Sequence, residues 1–146
     1  DAGIRVTCFG SGWEHLPCRH PENIVSGGMV NSEACLRELS RARISLNVMP
    51  WFKDGAHDRV FSSMLNGAVC FTDWSRYLQE ELEDGKDVIF YELDQLDRLT
   101  ERIHTLLADR EQWEMIRQHA YSTAKKHHTW AERARRLHEE ILCNIK

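Results

Sequence analysis

The chain has 146 residues, 42% of them hydrophobic and 29% charged, and its 23 acidic and 19 basic side chains give a formal net charge of −4. This length suits a single domain with its own hydrophobic core, and the composition excludes disordered and fibrous proteins. The negative charge argues against nucleic acid as a partner, and charged residues interrupt every apolar run before it reaches the length of a membrane span.

The cysteines indicate the cellular compartment, and the first residues indicate where the chain begins within its domain. The five cysteines are an odd number without a C-x-x-C pair, and no secretory segment opens the chain, so a reduced, cytoplasmic setting is expected. Asp1-Ala2-Gly3 reads as the end of a helix followed by its glycine stop. We therefore expect a fragment that begins inside a larger protein.

The first quarter of the chain predicts two short strands. Ile4 to Phe9 is rich in β-branched and apolar residues, and the turn Gly10-Ser11-Gly12 ends it. A loop from Trp13 to Glu22 follows. Asn23 to Ser26 then predicts a second strand, which breaks at Gly27-Gly28.

A helix and a third strand come next. The helix runs from about Ser32 to Ala42, with Leu36 and Leu39 turned inward. The run from Ile44 to Met49 is short and mostly apolar. It predicts a strand that is buried on both faces of a parallel sheet.

The centre of the chain completes a strand-loop-helix-strand unit. A helix from Asp58 to Asn66 is stopped by Gly67, and Ala68 to Thr72 predicts another buried strand. The apolar side chains of that helix share one side: Val60, Phe61, Met64 and Leu65.

The last part of the chain predicts one more strand and then only helices. Ser75 can cap a helix to Glu83, Val88 to Tyr91 predicts a strand, and residues 94–146 predict a helical tail whose last helix is capped by Thr129. Strands that alternate with helices predict an α/β, three-layer fold with a mostly parallel sheet.

Ligands of open parallel sheets bind beyond the carboxyl ends of strands, where helix N-termini offer unpaired N–H groups. Three loops qualify here: Gly10 to Trp13, Ser26 to Met29, and Pro50 to Asp58. The first two carry glycine pairs without a complete nucleotide-binding fingerprint, and a plain turn explains each of them. The third loop leads to two cationic side chains, His57 and Arg59, beside a helix start.

These two side chains suit a diphosphate. Arg59 can pair with phosphate oxygens in a bidentate fork, the helix N-terminus can donate N–H groups, and Gly55 removes side-chain bulk where a ligand approaches. In the alternative interpretation, Arg59 bridges Asp58 or Asp54 at the surface and His57 only caps the helix. The residues alone leave both interpretations open.

The central segment carries a family resemblance. Residues 44–73 read ISLNVMPWFKDGAHDRVFSSMLNGAVCFTD and contain a G-x-H-x-R segment. They resemble the donor-binding core of GT-B glycosyltransferases, especially the bacterial group 1 families that include spore-maturation-like proteins. The flanking segments resemble the same families, so nearly the whole chain is covered. The resemblance implies a Rossmann-like, nucleotide-sugar-binding domain that lacks an N-terminal acceptor domain.

The resemblance also implies roles for individual residues. Related families carry two glutamates, whose places fall here on Asp54 and Ser62, and Ser62 can hydrogen-bond a ribose hydroxyl without supplying a charge. The implied assignments are Asp54 for the donor sugar; Gly55, His57 and Arg59 for the diphosphate; and Ser26, Gly27, Gly28 and Ser62 for the base or ribose.

The implied chemistry is transfer of the sugar to an unknown acceptor. A helix N-terminus and an arginine can stabilise the leaving diphosphate without a metal, so no cofactor is expected besides the nucleotide-sugar substrate. Any general base is expected in the missing domain. This fragment alone is therefore expected to be inactive.

Other kinds of site are not favoured. His15, Cys18 and His20 fit no familiar zinc spacing, and the chain has no G-x-S-x-G and no evident cysteine elbow. Trp13 and Trp51 are loop residues that can pack on a base or sugar.

Two rival functions stay open. The same fold can serve as a non-catalytic nucleotide-sensing or protein-interaction module that has lost full donor binding, consistent with Ser62. It can also serve another α/β enzyme that acts on nucleotide-diphosphate sugars, such as an epimerase.

Overall fold

The computed structural model describes residues 3–145, which form two compact units that divide between Arg37 and Glu38. The predicted helix end at Asp1-Ala2 lies outside the described residues. In chain order the elements are β1 (Val6–Phe9), β2 (Ile24–Gly28), α1 (Ser32–Arg41), β3 (Ile44–Asn47), α2 (Asp58–Leu65), β4 (Val69–Asp73), α3 (Arg76–Glu81), β5 (Ile89–Tyr91), α4 (Leu96–Ala108), α5 (Arg110–His127) and α6 (Trp130–Asn144).

The first unit contains the parallel pair β1 and β2, with Val6 opposite Ile24. Strand β2 continues through Gly27 and Gly28 and does not break there as predicted. A Cβ atom on Gly27 would lie 2.3 Å from the Phe9 ring. The glycine therefore lets an aromatic side chain of the neighbouring strand pack against the β2 backbone, which the sequence pattern presents as a turn.

The second unit contains a three-stranded parallel sheet in the order β3-β4-β5. The central strand, β4, is buried at all five positions, as predicted. Strand β3 lies at the edge, and Leu46 is 50% exposed. The prediction that β3 is buried on both faces is therefore wrong, because a short apolar run looks alike in an edge strand and a central strand.

The core of the second unit is built by α2, α5 and the sheet. Val60, Phe61 and Met64 of α2 are buried, as their spacing predicts. Ala120 and Ala124 of α5 belong to the same cluster, and their small side chains allow α5 to approach α2 closely. The predicted helical tail therefore contributes a wall of the core.

Two helices carry large apolar side chains that are exposed. Leu36 of α1 is 41% exposed and not turned inward. Thr129 caps α6 as predicted, its hydroxyl accepting from the Glu132 N–H at 3.2 Å, yet Trp130 on the apolar side of α6 is 79% exposed. A helical spacing of apolar residues specifies a face but does not ensure that the same chain covers it.

The fold class is α/β, with parallel strand pairing and a helical C-terminal part, as the sequence predicts. Among residues 3–145, no helix combines the length and the apolar character that crossing a membrane requires.

A buried histidine joins the end of α5 to α2. The His128 ring stacks on Phe61, with ring centroids 4.4 Å apart, and neither ring nitrogen has a hydrogen-bond partner. Burial lowers the pKa of His128 from its ordinary value of 6.5, although the Glu81 carboxylate 3.8 Å away opposes this. The remaining charged groups that act on the ring are Arg133, Arg136 and His127.

This burial predicts a pH dependence of stability. A group whose pKa is lower in the folded state contributes stability that is complete above its unfolded pKa and is lost as the pH falls toward the folded pKa. The free energy of unfolding is therefore expected to decrease below about pH 6.5, and His128→Phe, which keeps a stacked ring, is expected to flatten the profile. Denaturant titrations of both chains at pH 7 and pH 5 measure this, and identical profiles would contradict it.

Candidate functional site

The loop after β3 is fixed by a buried carboxylate at the end of β4. The Asp73 side chain is 1% exposed, and its Oδ2 lies 2.6 Å from the Lys53 Nζ. Its Oδ1 accepts from the Met49 N–H at 2.7 Å. Lys53 also donates to the Trp74 carbonyl and lies over the Trp74 ring. Asp73 therefore ties two points of the loop to the central strand, and the Lys53 cation is used within the fold.

A second set of hydrogen bonds connects Arg59 to the ends of the strands. The Arg59 Nε donates to the Asn47 Oδ1 at 3.1 Å, and Asn47 Nδ2 donates to the Thr72 Oγ1 at 2.9 Å. The Tyr91 hydroxyl donates to the Asn47 carbonyl at 2.7 Å. Burial, with the negative charge of Asp73 adding to it, raises the pKa of Tyr91 to about 12, so this hydroxyl keeps its proton at neutral pH.

Helix α2 begins after a histidine, which acts as the cap that the alternative interpretation of this loop describes. His57 is the N-cap, and its Nδ1 accepts from the Arg59 backbone N–H at 3.2 Å. The same Nδ1 lies 2.5 Å from the Asp58 Oδ1. One nitrogen cannot accept from Arg59 and donate to Asp58 at once, so the contact with Asp58 can be a hydrogen bond only if the cap on the Arg59 N–H is given up.

His57 and Arg59 line one cleft of about 310 Å³ at the carboxyl end of β3. Its other walls are apolar: Val48, Met49, Pro50, Trp51, Phe52 and Ala56. Trp51 is 95% exposed, and Arg59 is an exposed residue. The cleft therefore offers a cationic end beside apolar and aromatic surface.

Asp54, Gly55 and Ser62 lie close to this cleft in sequence but do not line it. Asp54 is exposed and pairs with Arg76 at 3.3 Å, whereas Ser62 is partly buried on α2. A Cβ atom on Gly55 would lie 2.2 Å from the Phe52 ring. In this structure the space beside Gly55 is thus filled by Phe52, where the sequence predicts room for a ligand.

The other predicted loop belongs to the first unit. Ser26, Gly27 and Gly28 are exposed at the end of β2, and the Gly28 carbonyl accepts from the Gly10 N–H at 2.8 Å. This bond brings two of the predicted glycine loops together at the carboxyl ends of their strands. Trp13 follows them, and its indole N–H donates to the Phe9 carbonyl.

Sequence reasoning missed the residues that support the site. Asn47, Thr72 and Asp73 are polar residues at the ends of apolar strands. Parallel strands end at the same edge of a sheet, and the register places Asn47 opposite Thr72. A buried polar residue at such a place requires a partner, and that requirement is the signal that could have identified them.

Between residues 3 and 145, no group of three His, Cys, Asp or Glu side chains is arranged to hold a metal ion. Burial raises the pKa of Cys70 to about 12, so its thiol stays protonated and is a poor nucleophile.

The fold and this cleft define a class of protein. It is an α/β protein with parallel strands, in which the loop after a strand leads into a helix whose start carries cationic side chains. The comparison with protein families agrees, since the family described as glycosyl transferase-like matches residues 1–139. The chain belongs to this glycosyl transferase-like family. No curated protein was found to match the chain.

Proposed function

We propose that this chain binds a nucleotide-diphosphate sugar as the donor domain of a glycosyltransferase. The observation that carries the proposal is the cleft in which His57 and Arg59 stand together at the start of α2. Family membership supplies the general reaction class, glycosyl transfer. The Arg59 guanidinium and the helix start supply the positive charge that a diphosphate requires.

The start of α2 can provide a backbone N–H donor for the diphosphate. When Nδ1 of His57 is protonated, the imidazolium pairs with Asp58 and the Arg59 N–H is free to donate to a phosphate oxygen. The Arg59 guanidinium then faces the same anion with its terminal N–H groups. In transfer, these groups would stabilise the negative charge that develops on the leaving diphosphate, and the proposal needs no metal.

The remaining roles follow the family resemblance. Asp54 is proposed to face the sugar, Ser62 the ribose, and Ser26 with Gly27 and Gly28 the base or ribose. Asp54 must leave its exposed ion pair with Arg76 to do so, which costs little because surface pairs contribute about 0–1 kcal/mol. Transfer also needs an acceptor site. An experiment on this chain therefore tests binding of the donor.

Calorimetric titration of the chain with UDP, GDP, ADP and their sugars tests the proposal. Arg59→Ala is expected to weaken binding by about 10- to 100-fold, because a charge-assisted hydrogen bond contributes about 1.5–3 kcal/mol. His57→Ala is expected to weaken binding as well. Arg98→Ala, which removes an exposed arginine of α4, is the matched control and should leave affinity unchanged.

The outcome also separates the rival functions. Binding that is lost with Arg59 and retained with Arg98 supports the donor site. If no nucleotide binds at millimolar concentration, the donor proposal is wrong for this chain and a protein-interaction module of the same fold is favoured. Equal losses in both arginine variants would mean that only general charge attracts the ligand.

A further inference from the structure

Asn47 is a buried amide directly beneath the proposed diphosphate site. It is 3% exposed, and three of its polar groups are occupied by three different elements: the Oδ1 by Arg59 of α2, the Nδ2 by Thr72 of β4 and the carbonyl by Tyr91 of β5. Rotation of the amide would break the buried bond to Thr72 and the partly buried bond from Arg59, so these two contacts restrain its orientation.

The contact to Arg59 restrains a side chain that is otherwise exposed. The Nε of Arg59 is held by the Asn47 Oδ1 at 3.1 Å, and one terminal nitrogen reaches the Val48 carbonyl at 3.5 Å. A free arginine side chain has many rotamers, and a ligand that fixes them does so at a cost in entropy. Fixing Nε removes part of that cost before a ligand arrives and leaves terminal N–H groups for it.

The chemistry of the acceptor matters as much as its position. An amide oxygen accepts from Arg59 without adding charge, so the full positive charge of the guanidinium stays available to an anion. A carboxylate at the same place would form an ion pair and compete with phosphate for the arginine. The orientation of the amide is set by Thr72, since Nδ2 donates to its hydroxyl and Oδ1 then faces Arg59.

We propose that Asn47 is a positioning residue that orients the Arg59 guanidinium toward an anionic ligand and leaves its charge unneutralised. This inference rests on the proposed function, in which Arg59 meets a diphosphate. Asn47 touches no ligand in this scheme and acts only through Arg59.

A double-mutant cycle tests the inference, with inorganic pyrophosphate, UDP, GDP and ADP as probes. In the Arg59 chain, Asn47→Asp is expected to weaken binding about tenfold and Asn47→Ala about three- to tenfold. In an Arg59→Ala background, both substitutions should change affinity less than twofold. Asn66→Ala is the matched control, since it removes an asparagine whose Nδ2 donates to the Ser62 carbonyl of α2 and which lies at the opposite end of that helix from Arg59.

The outcomes separate the inference from the proposed function. No binding by the wild-type chain contradicts the proposed function itself. Binding that depends on Arg59 but not on Asn47 contradicts the inference alone, and so does an equal loss in both Arg59 backgrounds, which would indicate a role in folding. Unfolding midpoints identify any variant that does not fold.

A second readout needs no ligand. The Nε–H resonance of Arg59, assigned by its absence in Arg59→Ala, should shift and exchange faster with water in Asn47→Ala, because its hydrogen bond is gone. The same resonance should be unchanged in Asn66→Ala. An unchanged resonance in Asn47→Ala would show that Asn47 does not hold Arg59.

Discussion

Replacing Asp73 by alanine is expected to lower the free energy of unfolding by about 3 kcal/mol. The substitution leaves two groups without their partner: the Met49 N–H, which donates to Oδ1, and the Lys53 ammonium, which pairs with Oδ2. Lys53 is about one third exposed, so water recovers part of its loss, whereas the Asp73 carboxylate itself is almost fully enclosed. Urea titrations of the variant and the wild-type chain measure the difference.

Asp54→Ala is the control for Asp73→Ala. It removes a carboxylate from the same loop, but its ion pair with Arg76 is about three-quarters exposed on both sides, so we expect a change within about 0.5 kcal/mol. If the two substitutions cost the same, burial does not decide the contribution of these carboxylates. Asp73→Ala should also release the loop that forms the apolar walls of the cleft.

The sequence was sufficient for the parts of the fold that depend on local pattern. Spacing of apolar residues predicts α2, and Ser75 and Thr129 cap the helices that their positions indicate. The run that forms β4 is apolar enough to require burial. These features depend on residues within one or two turns of each other, and no knowledge of tertiary packing is needed to recognise them.

Features that depend on partners distant in sequence could not be predicted in the same way. The edge position of β3 depends on which strands pair, and the exposure of Leu46 follows from that pairing. Phe52 fills the space beside Gly55 because the loop folds back on itself. A glycine in a sequence indicates that a side chain is excluded, but it does not indicate what excludes it.

The candidate site shows the same division. His57 and Arg59 were found because they lie next to a predictable helix start. Asn47 and Asp73 were missed because their importance arises only when β3, β4 and the loop come together. The residues that could bind a ligand are thus visible in the sequence, whereas the residues that orient them become visible in the structure.

Met64→Ala is expected to lower the free energy of unfolding by about 3 kcal/mol, within the range of about 2–5 kcal/mol for such truncations in a core. Met64 has no exposed surface and lies in the cluster that joins α2 to α5. The truncation leaves a cavity against Ala120 and Ala124, whose short side chains cannot extend to fill it. The cost therefore includes both lost burial and an unfilled space.

The same substitution at an exposed methionine isolates that cost. Met115 of α5 is 59% exposed, and Met115→Ala should change the free energy of unfolding by no more than about 0.5 kcal/mol. Equal effects would contradict the packing of α2 on α5. Because Met64 lies about 1.4 helical turns beyond Arg59 and outside the cleft, Met64→Ala chains that remain folded should keep their nucleotide affinity. Arg59→Ala should lose affinity, and it should also lower the free energy of unfolding by about 1–3 kcal/mol because the buried Asn47 Oδ1 loses its donor.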